Sequence, residues 1–189
     1  MYFVSLQSML KPTIRIEDKS FELSIPASDI AREVQQCAAH IEKDLTETEP
    51  LFIALLNGAF MFASDLMRHI TRPAHLTFVK LASYEGDHST GQVQELIGLT
   101  EKIEGRTVII VEDIIDTGLT ISELLRTLQR ENPAEIRIAA LLVKPESLQV
   151  PIHIDYPIFS IPNDFIVGYG TDYNGYGRNL PDIYTCINT

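Results

Sequence analysis

The run Val108–Val111 (VIIV) is apolar at every position, so a strand built from it has no side left for water. Such a strand must lie in a sheet covered on both faces, and sheets of that kind are parallel, with helices above and below. The flanking sequence supplies the helices. Ile121, Leu124, Leu125 and Leu128 recur at helical spacing, and Pro133 closes the pattern. Ile30, Val34, Cys37, Ile41 and Leu45 do the same over 29–46, with Ser28 read as the N-cap. The segments LFIALL, AHLTFVKLASY, EIRIAALLVK and PIFSI read as further strands, and TIRIEDKSFELSI as a short hairpin. A helix follows Gly58 to about His69, and the tail DFIVGYGTDYNGYGRNLPDIYTCIN reads as irregular with short β pieces. Strands alternating with helices predict an α/β fold with a central, mainly parallel sheet flanked by helices. The 189 residues, of which 45% are apolar, suffice for one domain with a full core.

Open parallel sheets bind ligands outside the carboxyl ends of their strands. The loops after 56, 81, 111 and 143 therefore matter most. The third is VEDIIDTGLT, which places Glu112, Asp113 and Asp116 just past a buried strand and then opens a helix. Paired acids at a strand end can be plain surface charge. They can also accept from the vicinal hydroxyls of a sugar, directly or through a divalent cation. A tight glycine-containing loop at a helix N-terminus is an anion site, and Thr117 and Thr120 add hydroxyls. Sugar hydroxyls and one terminal phosphate on adjoining segments imply a ribose 5-phosphate, with Asp116 aimed toward the substituent of its anomeric carbon. The loop is neither a GxxxxGK[ST] phosphate loop nor a GxGxxG turn, and the glycines at 168, 170, 175 and 177 do not fit the latter spacing. Residues 84–98 are polar and without clear period, as in a loop or hairpin that opens and closes over a site.

The net charge of −11 argues against a nucleic-acid partner, which requires a basic face. Cys37 and Cys186 sit in no CxxC or Cys/His cluster, and reduced thiols are expected. The start MYFVSLQSMLKP lacks the basic flank and long apolar run of a signal peptide, and no segment reads as membrane-spanning. A cytoplasmic protein is the expectation.

The thirteen residues Val108–Thr120 resemble the signature of the phosphoribosyltransferases, and in particular the hypoxanthine-guanine branch. LLNGAFMFA, LASYEGDHSTG, LLVK and DFIVGYGTDYNGYGRNLP match further pieces of that branch in the same order, so the likeness runs from about residue 12 through nearly the whole chain. It implies a type I phosphoribosyltransferase fold in a single domain, 1–189. A small hood would come from about 1–27 and 150–189, and a lid from about 84–98, led by Ser83 and Tyr84. The activity implied is transfer of the 5-phosphoribosyl group of PRPP to a hypoxanthine or guanine nitrogen, releasing pyrophosphate with Mg²⁺, in a self-associating enzyme. A xanthine-preferring sister transferase is an alternative. A PRPP-sensing nucleic-acid regulator on the same fold is another, which the acidic balance disfavours.

By the same resemblance, Glu112 and Asp113 hold the ribose hydroxyls and a magnesium ion, and Asp116 is the general base toward purine N7. Asp116, Thr117, Gly118, Leu119 and Thr120 cradle the 5-phosphate. Asn57 and Gly58 form the pyrophosphate loop, preceded by a non-proline cis peptide that turns backbone N–H groups to the ligand. Asn57 stands where many relatives carry lysine or arginine, so only the backbone role carries over there. Lys144 donates to the purine 6-oxo group, Phe165 stacks on the base, and Ile166 presents backbone to its edge. Asp172 holds a second magnesium beside the base, and Arg178 grips pyrophosphate. Tyr173 and Tyr176 are expected to pack rather than react.

Overall fold

The computed structural model describes residues 11–45, 49–82, 95–97 and 99–187. In chain order the elements are β1 (Thr13–Ile16), β2 (Lys19–Ile25), α1 (Ala27–Asp44), β3 (Leu51–Leu55), α2 (Phe60–His69), β4 (His75–Ala82) and β5 (Glu95–Ile97). They continue with β6 (Thr107–Ile115), α3 (Leu119–Gln129), β7 (Glu135–Val143), β8 (Tyr156–Ser160), β9 (Ile166–Val167) and β10 (Ile183–Cys186). The main sheet has the order β5-β4-β3-β6-β7-β8. Its pairs are parallel except β4 with β5, which is antiparallel.

Period-two alternation explains why every residue of β3 is buried. Phe52 and Ala54, with Ile109 and Val111 of β6, pack against α1 and α2 through Ile30, Val34, Ile41, Phe62 and Leu66. Leu51 and Ile53, with Val108 and Ile110, pack against α3 through Ile121, Leu124 and Leu128. The all-apolar central strand is thus covered on both faces, as its composition requires. Cys37 lies buried on α1, where desolvation pushes its thiol up to about 12 and keeps it inert.

A second, four-stranded sheet has the order β1-β2-β10-β9 and is antiparallel throughout. It closes around Phe21, Val167 and Tyr184. Within 150–189, β8 belongs to the main sheet, while β10 pairs with β2 of the N-terminal hairpin and β9 pairs with β10.

Helix α1 begins earlier than the sequence pattern suggests. Ser28 lies inside its first turn, Pro26 is the N-cap residue, and no local side chain caps it. The cap comes from far along the chain: Asp182 Oδ1 accepts from the Ala27 N–H at 2.7 Å. A carboxylate at a helix N-terminus satisfies a free donor and complements the helix dipole, so a local serine is not needed. Asp182→Ala is expected to cost about 1 kcal/mol. Urea unfolding checks this, with an unchanged midpoint as the contrary result.

Candidate active site

The carboxyl ends of β3, β6 and β7 open into a cavity of about 490 Å³. Its wall includes Asn57, Gly58, Glu112, Asp113, Asp116, Thr120, Lys144, Phe165, Ile166, Asp172 and Arg178. Those residues come from separate stretches of the chain. Thr117, Gly118 and Leu119 stand beside the cavity on the loop that carries Asp116 and Thr120. Ser83 and Tyr84, and the lid expected over 84–98 apart from β5, lie outside the described residues.

Glu112 and Asp113 do not end their strand, contrary to the sequence expectation. β6 runs on to Ile115 and keeps its pairing with β7 through Ile115↔Val143, whereas its pairing with β3 stops at Val111. The acids therefore occupy the stretch of β6 that β7 still supports and β3 no longer covers. The face alternation also slips there: Ile114 packs on the α1–α2 side with Ile109 and Val111, and Ile115 on the α3 side with Val108 and Ile110.

The two carboxyls are desolvated. Glu112 Oε2 is shielded from solvent and has no hydrogen-bond partner. Burial pushes its carboxyl well above the ordinary range, and the neighbouring Asp113 charge adds to this. Asp113 is itself only 9% exposed. Burial raises its carboxyl to about 6, against the pull of backbone N–H groups and Arg178 and with a smaller upward push from Asp172. Desolvated carboxyls with shifted protonation equilibria are common at functional sites.

The peptide bond Leu56–Asn57 is cis, as the resemblance implied. Gly58 follows, and a Cβ there would lie 1.8 Å from Asp113 Oδ2. A Cβ on Gly170 would in turn lie 2.0 Å from the Gly58 carbonyl oxygen, and Gly170 has φ +104. Only glycine permits both approaches. Asp113, the 56–58 loop and the 168–171 segment thus touch backbone to side chain and backbone to backbone. Tyr169 OH donates to Asp65 Oδ2 at 2.7 Å, tying that segment to α2. Arg178 Nη1 donates to the Gly170 carbonyl at 2.7 Å, and its other arm pairs with Asp172. Asp172 also accepts from the Gly175 N–H at 2.7 Å.

On the far side, Lys144 is buried and donates from Nζ to Asp116 Oδ2 at 3.0 Å. Its backbone N–H bonds the Ile115 carbonyl, which keeps the ends of β6 and β7 in step. Gly118, at φ +79, is the N-cap residue of α3, no acid stands in the first turn, and the side-chain acceptor there is Thr117 Oγ1, at a long 3.4 Å from the Leu119 N–H. The N-terminal N–H groups of α3 are thereby suited to an anion.

Sequence reasoning did not single out Leu81, Ile114 or Thr171, which also line the cavity. Thr171 is buried and spends its hydroxyl on the Gly168 carbonyl at 2.9 Å. Its only linear signal was its place among the glycines of the tail.

Comparison with known proteins shows the family of the chain. The phosphoribosyl transferase domain family matches residues 26–174. The hypoxanthine-guanine phosphoribosyltransferase of Aquifex aeolicus is 37% identical over 171 residues, covering 89% of this chain and 96% of its own. That of Mycobacterium bovis is 38% identical over 186 residues, covering 98% and 88%. The crystal structure of a hypoxanthine phosphoribosyltransferase from Staphylococcus aureus superposes with a TM-score of 0.81 at 35% identity, covering 87% of this chain and 90% of its own.

Proposed function

Because the chain belongs to the phosphoribosyl transferase family, in its hypoxanthine-guanine branch, we propose that it moves the 5-phosphoribosyl group of PRPP onto N9 of hypoxanthine or guanine, giving IMP or GMP and pyrophosphate. The observation that carries this is the Lys144–Asp116 pair, 3.0 Å apart in one cavity with Phe165. A 6-oxopurine offers an acceptor, O6, directly beside N7, which bears a proton when N9 is the nucleophile. An ammonium that can only donate, beside a carboxylate that can accept, is complementary to that edge. Adenine has a donor where O6 would be, and meets the ammonium badly.

In the reaction the bond from C1 of the ribose to the pyrophosphate oxygen breaks, and the bond from C1 to N9 forms. The N7 proton passes to Asp116 as N9 attacks. Positive charge builds on the ribose in an oxocarbenium-like transition state, and the Glu112 and Asp113 carboxylates stabilise it while accepting from the ribose hydroxyls. Thr117, Gly118, Leu119 and Thr120, with the start of α3, hold the 5-phosphate. Backbone groups at Asn57 and Gly58, and Arg178, hold the pyrophosphate. Phe165 stacks on the base, Ile166 meets its edge, and Ser83 and Tyr84 lead a lid that excludes water.

Among the described residues no three His, Cys, Asp or Glu side chains converge as a ready-made metal site. That suits magnesium, which takes one or two carboxylates and completes its shell with water and substrate phosphates. The partnerless Glu112 oxygen beside Asp113 is a donor pair of that kind. Glu112 and Asp113 would hold one Mg²⁺ and Asp172 a second, and the ions would neutralise the departing pyrophosphate. Self-association belongs to the same proposal, favoured by exposed apolar side chains such as Phe60 and Phe78, which subunit contacts tend to cover. So does a cytoplasmic setting; no helix among the described residues is long and apolar enough to cross a membrane.

The test is an assay of PRPP and Mg²⁺ with hypoxanthine, guanine, xanthine and adenine in parallel. IMP and GMP are expected, with AMP formed far more slowly. Xanthine as the preferred base would move the assignment to the sister activity, and no product from any base would overturn it. Lys144→Gln is expected to lower kcat/KM for hypoxanthine about 100-fold, the scale of a hydrogen bond to a charged group. Adenine should lose far less, because a glutamine amide can also accept. Equal losses for both bases would remove Lys144 from base selection.

A further inference from the structure

We propose that Asp18 and Tyr173 act together as positioning residues for the purine, by fixing the ring of Phe165 from behind. The inference rests on reading Phe165 as the surface on which the base stacks. Phe165 is 44% exposed, and its carbonyl accepts from the Cys186 N–H at 2.8 Å, so its backbone is fixed while its ring borders open space. A ring in that situation is held only by what packs on its protected side. Two rings do so. Phe21, fully buried, lies 6.1 Å away at 47°. Tyr173 lies 5.6 Å away at 81°, an edge-to-face contact, and also packs on Phe21 at 6.3 Å.

Phe21 is rooted in β2. Tyr173 stands on an exposed loop and is held by the turn between β1 and β2. Its hydroxyl donates to Asp18 Oδ1 at 2.8 Å, and the next residue, Asn174, donates from Nδ2 to Glu17 Oε2 at 2.7 Å. Lys19 Nζ sits 5.7 Å over the face of the Tyr173 ring. The turn therefore grips the loop at its ring, its hydroxyl and its neighbour. Phe165 sits between this clamp and the cavity, so a looser Tyr173 frees Phe165 to leave the stacking orientation. The mechanism assigns no work to Asp18 or Tyr173, and neither lines the cavity.

The test compares Asp18→Ala, Asp18→Asn, Tyr173→Phe and Phe165→Ala by steady-state kinetics with each substrate varied in turn, beside thermal melting. Asp18→Ala and Tyr173→Phe should each raise KM for hypoxanthine roughly threefold to tenfold, the scale of one polar hydrogen bond. KM for PRPP and kcat should stay within about twofold. The double variant should be no worse than either single one, because both remove the same bond. Asp18→Asn keeps an acceptor oxygen and should stay near wild type. A lowered melting temperature with unchanged KM for hypoxanthine would make the contact a plain staple and overturn the proposal. A rise in KM for PRPP instead, or Asp18→Asn matching Asp18→Ala, would overturn it too. Phe165→Ala separates the two layers: if it raises KM for hypoxanthine while the clamp variants do not, the clamp fails and the stacking role stands. If it leaves that KM unchanged, the stacking role fails and the clamp falls with it.

Discussion

Asp116→Asn is expected to slow phosphoribosyl transfer about 100-fold or more, with KM for PRPP and for hypoxanthine changed by no more than a few fold. The asparagine has the same outline and keeps an oxygen for Lys144 Nζ, now 3.0 Å from Asp116 Oδ2, so the pocket keeps its shape. What it loses is a site for the proton leaving N7. The loss should appear in kcat, because the group acts only as that proton moves. Lys144→Gln, by contrast, should show in the choice of base. Steady-state kinetics with each substrate varied, together with direct IMP binding to the variant, separates the two effects. Wild-type kcat in Asp116→Asn would remove its role as base, and loss of IMP binding would make it a binding group instead.

The second large effect is on stability. Asp113 has its carboxyl at about 6 in the fold against an ordinary 3.8. As pH rises, the unfolded chain ionises first, and the folded chain is left paying to ionise a buried group. The penalty is absent below about pH 4, grows between about pH 4 and 6, and stands at about 3 kcal/mol above that. Asp113→Asn removes it. The variant should melt about 6–12 °C above wild type at pH 7.5, and the gain should vanish at pH 4. Transferase activity should fall steeply in the same variant, since the carboxylate is lost beside the ribose. Glu112, raised by burial and by Asp113, works in the same direction. Calorimetry at the two pH values decides it. An equal melting difference at both, or none at either, would show that Asp113 is not a destabilising charge in the unliganded fold. Such a trade of stability for function is common at catalytic centres.

Much of the frame was legible because its physics is local. Leu51–Leu55 and Val108–Val111 are too apolar to face water, and Ile121, Leu124 and Leu128 recur at helical period. The main sheet and its covering helices follow from those facts. Glu112, Asp113, Asp116 and Thr120 were legible because they follow one of those strands, whereas Asn57, Gly58, Lys144, Phe165, Ile166, Asp172 and Arg178 were placed by the resemblance alone. What escaped was set by contacts between distant residues. Ser28 looked like a cap because nothing nearby said that Asp182 would supply one. Glu112 and Asp113 looked like a strand end because the support of β7 beyond Val111 is a matter of register. The meeting of Gly58, Gly170 and Asp113 could not be read either: each glycine alone suggests a turn, and only the fold shows what occupies the space a side chain would need.

The small sheet has a consequence for a chain that is made in one direction. β2 finds its partner β10 only when residues 183–186 exist, and Ile25 is joined to Ile183 across almost the whole length described. A chain exposed only as far as residue 165 carries every described strand of the main sheet and the three described α-helices, but α1 has no Asp182 at its head and the 56–58 loop has no Gly170 beside it. The scaffold can therefore form before the site does. Completing the site then requires the closure of a long loop that brings the tail onto the hairpin.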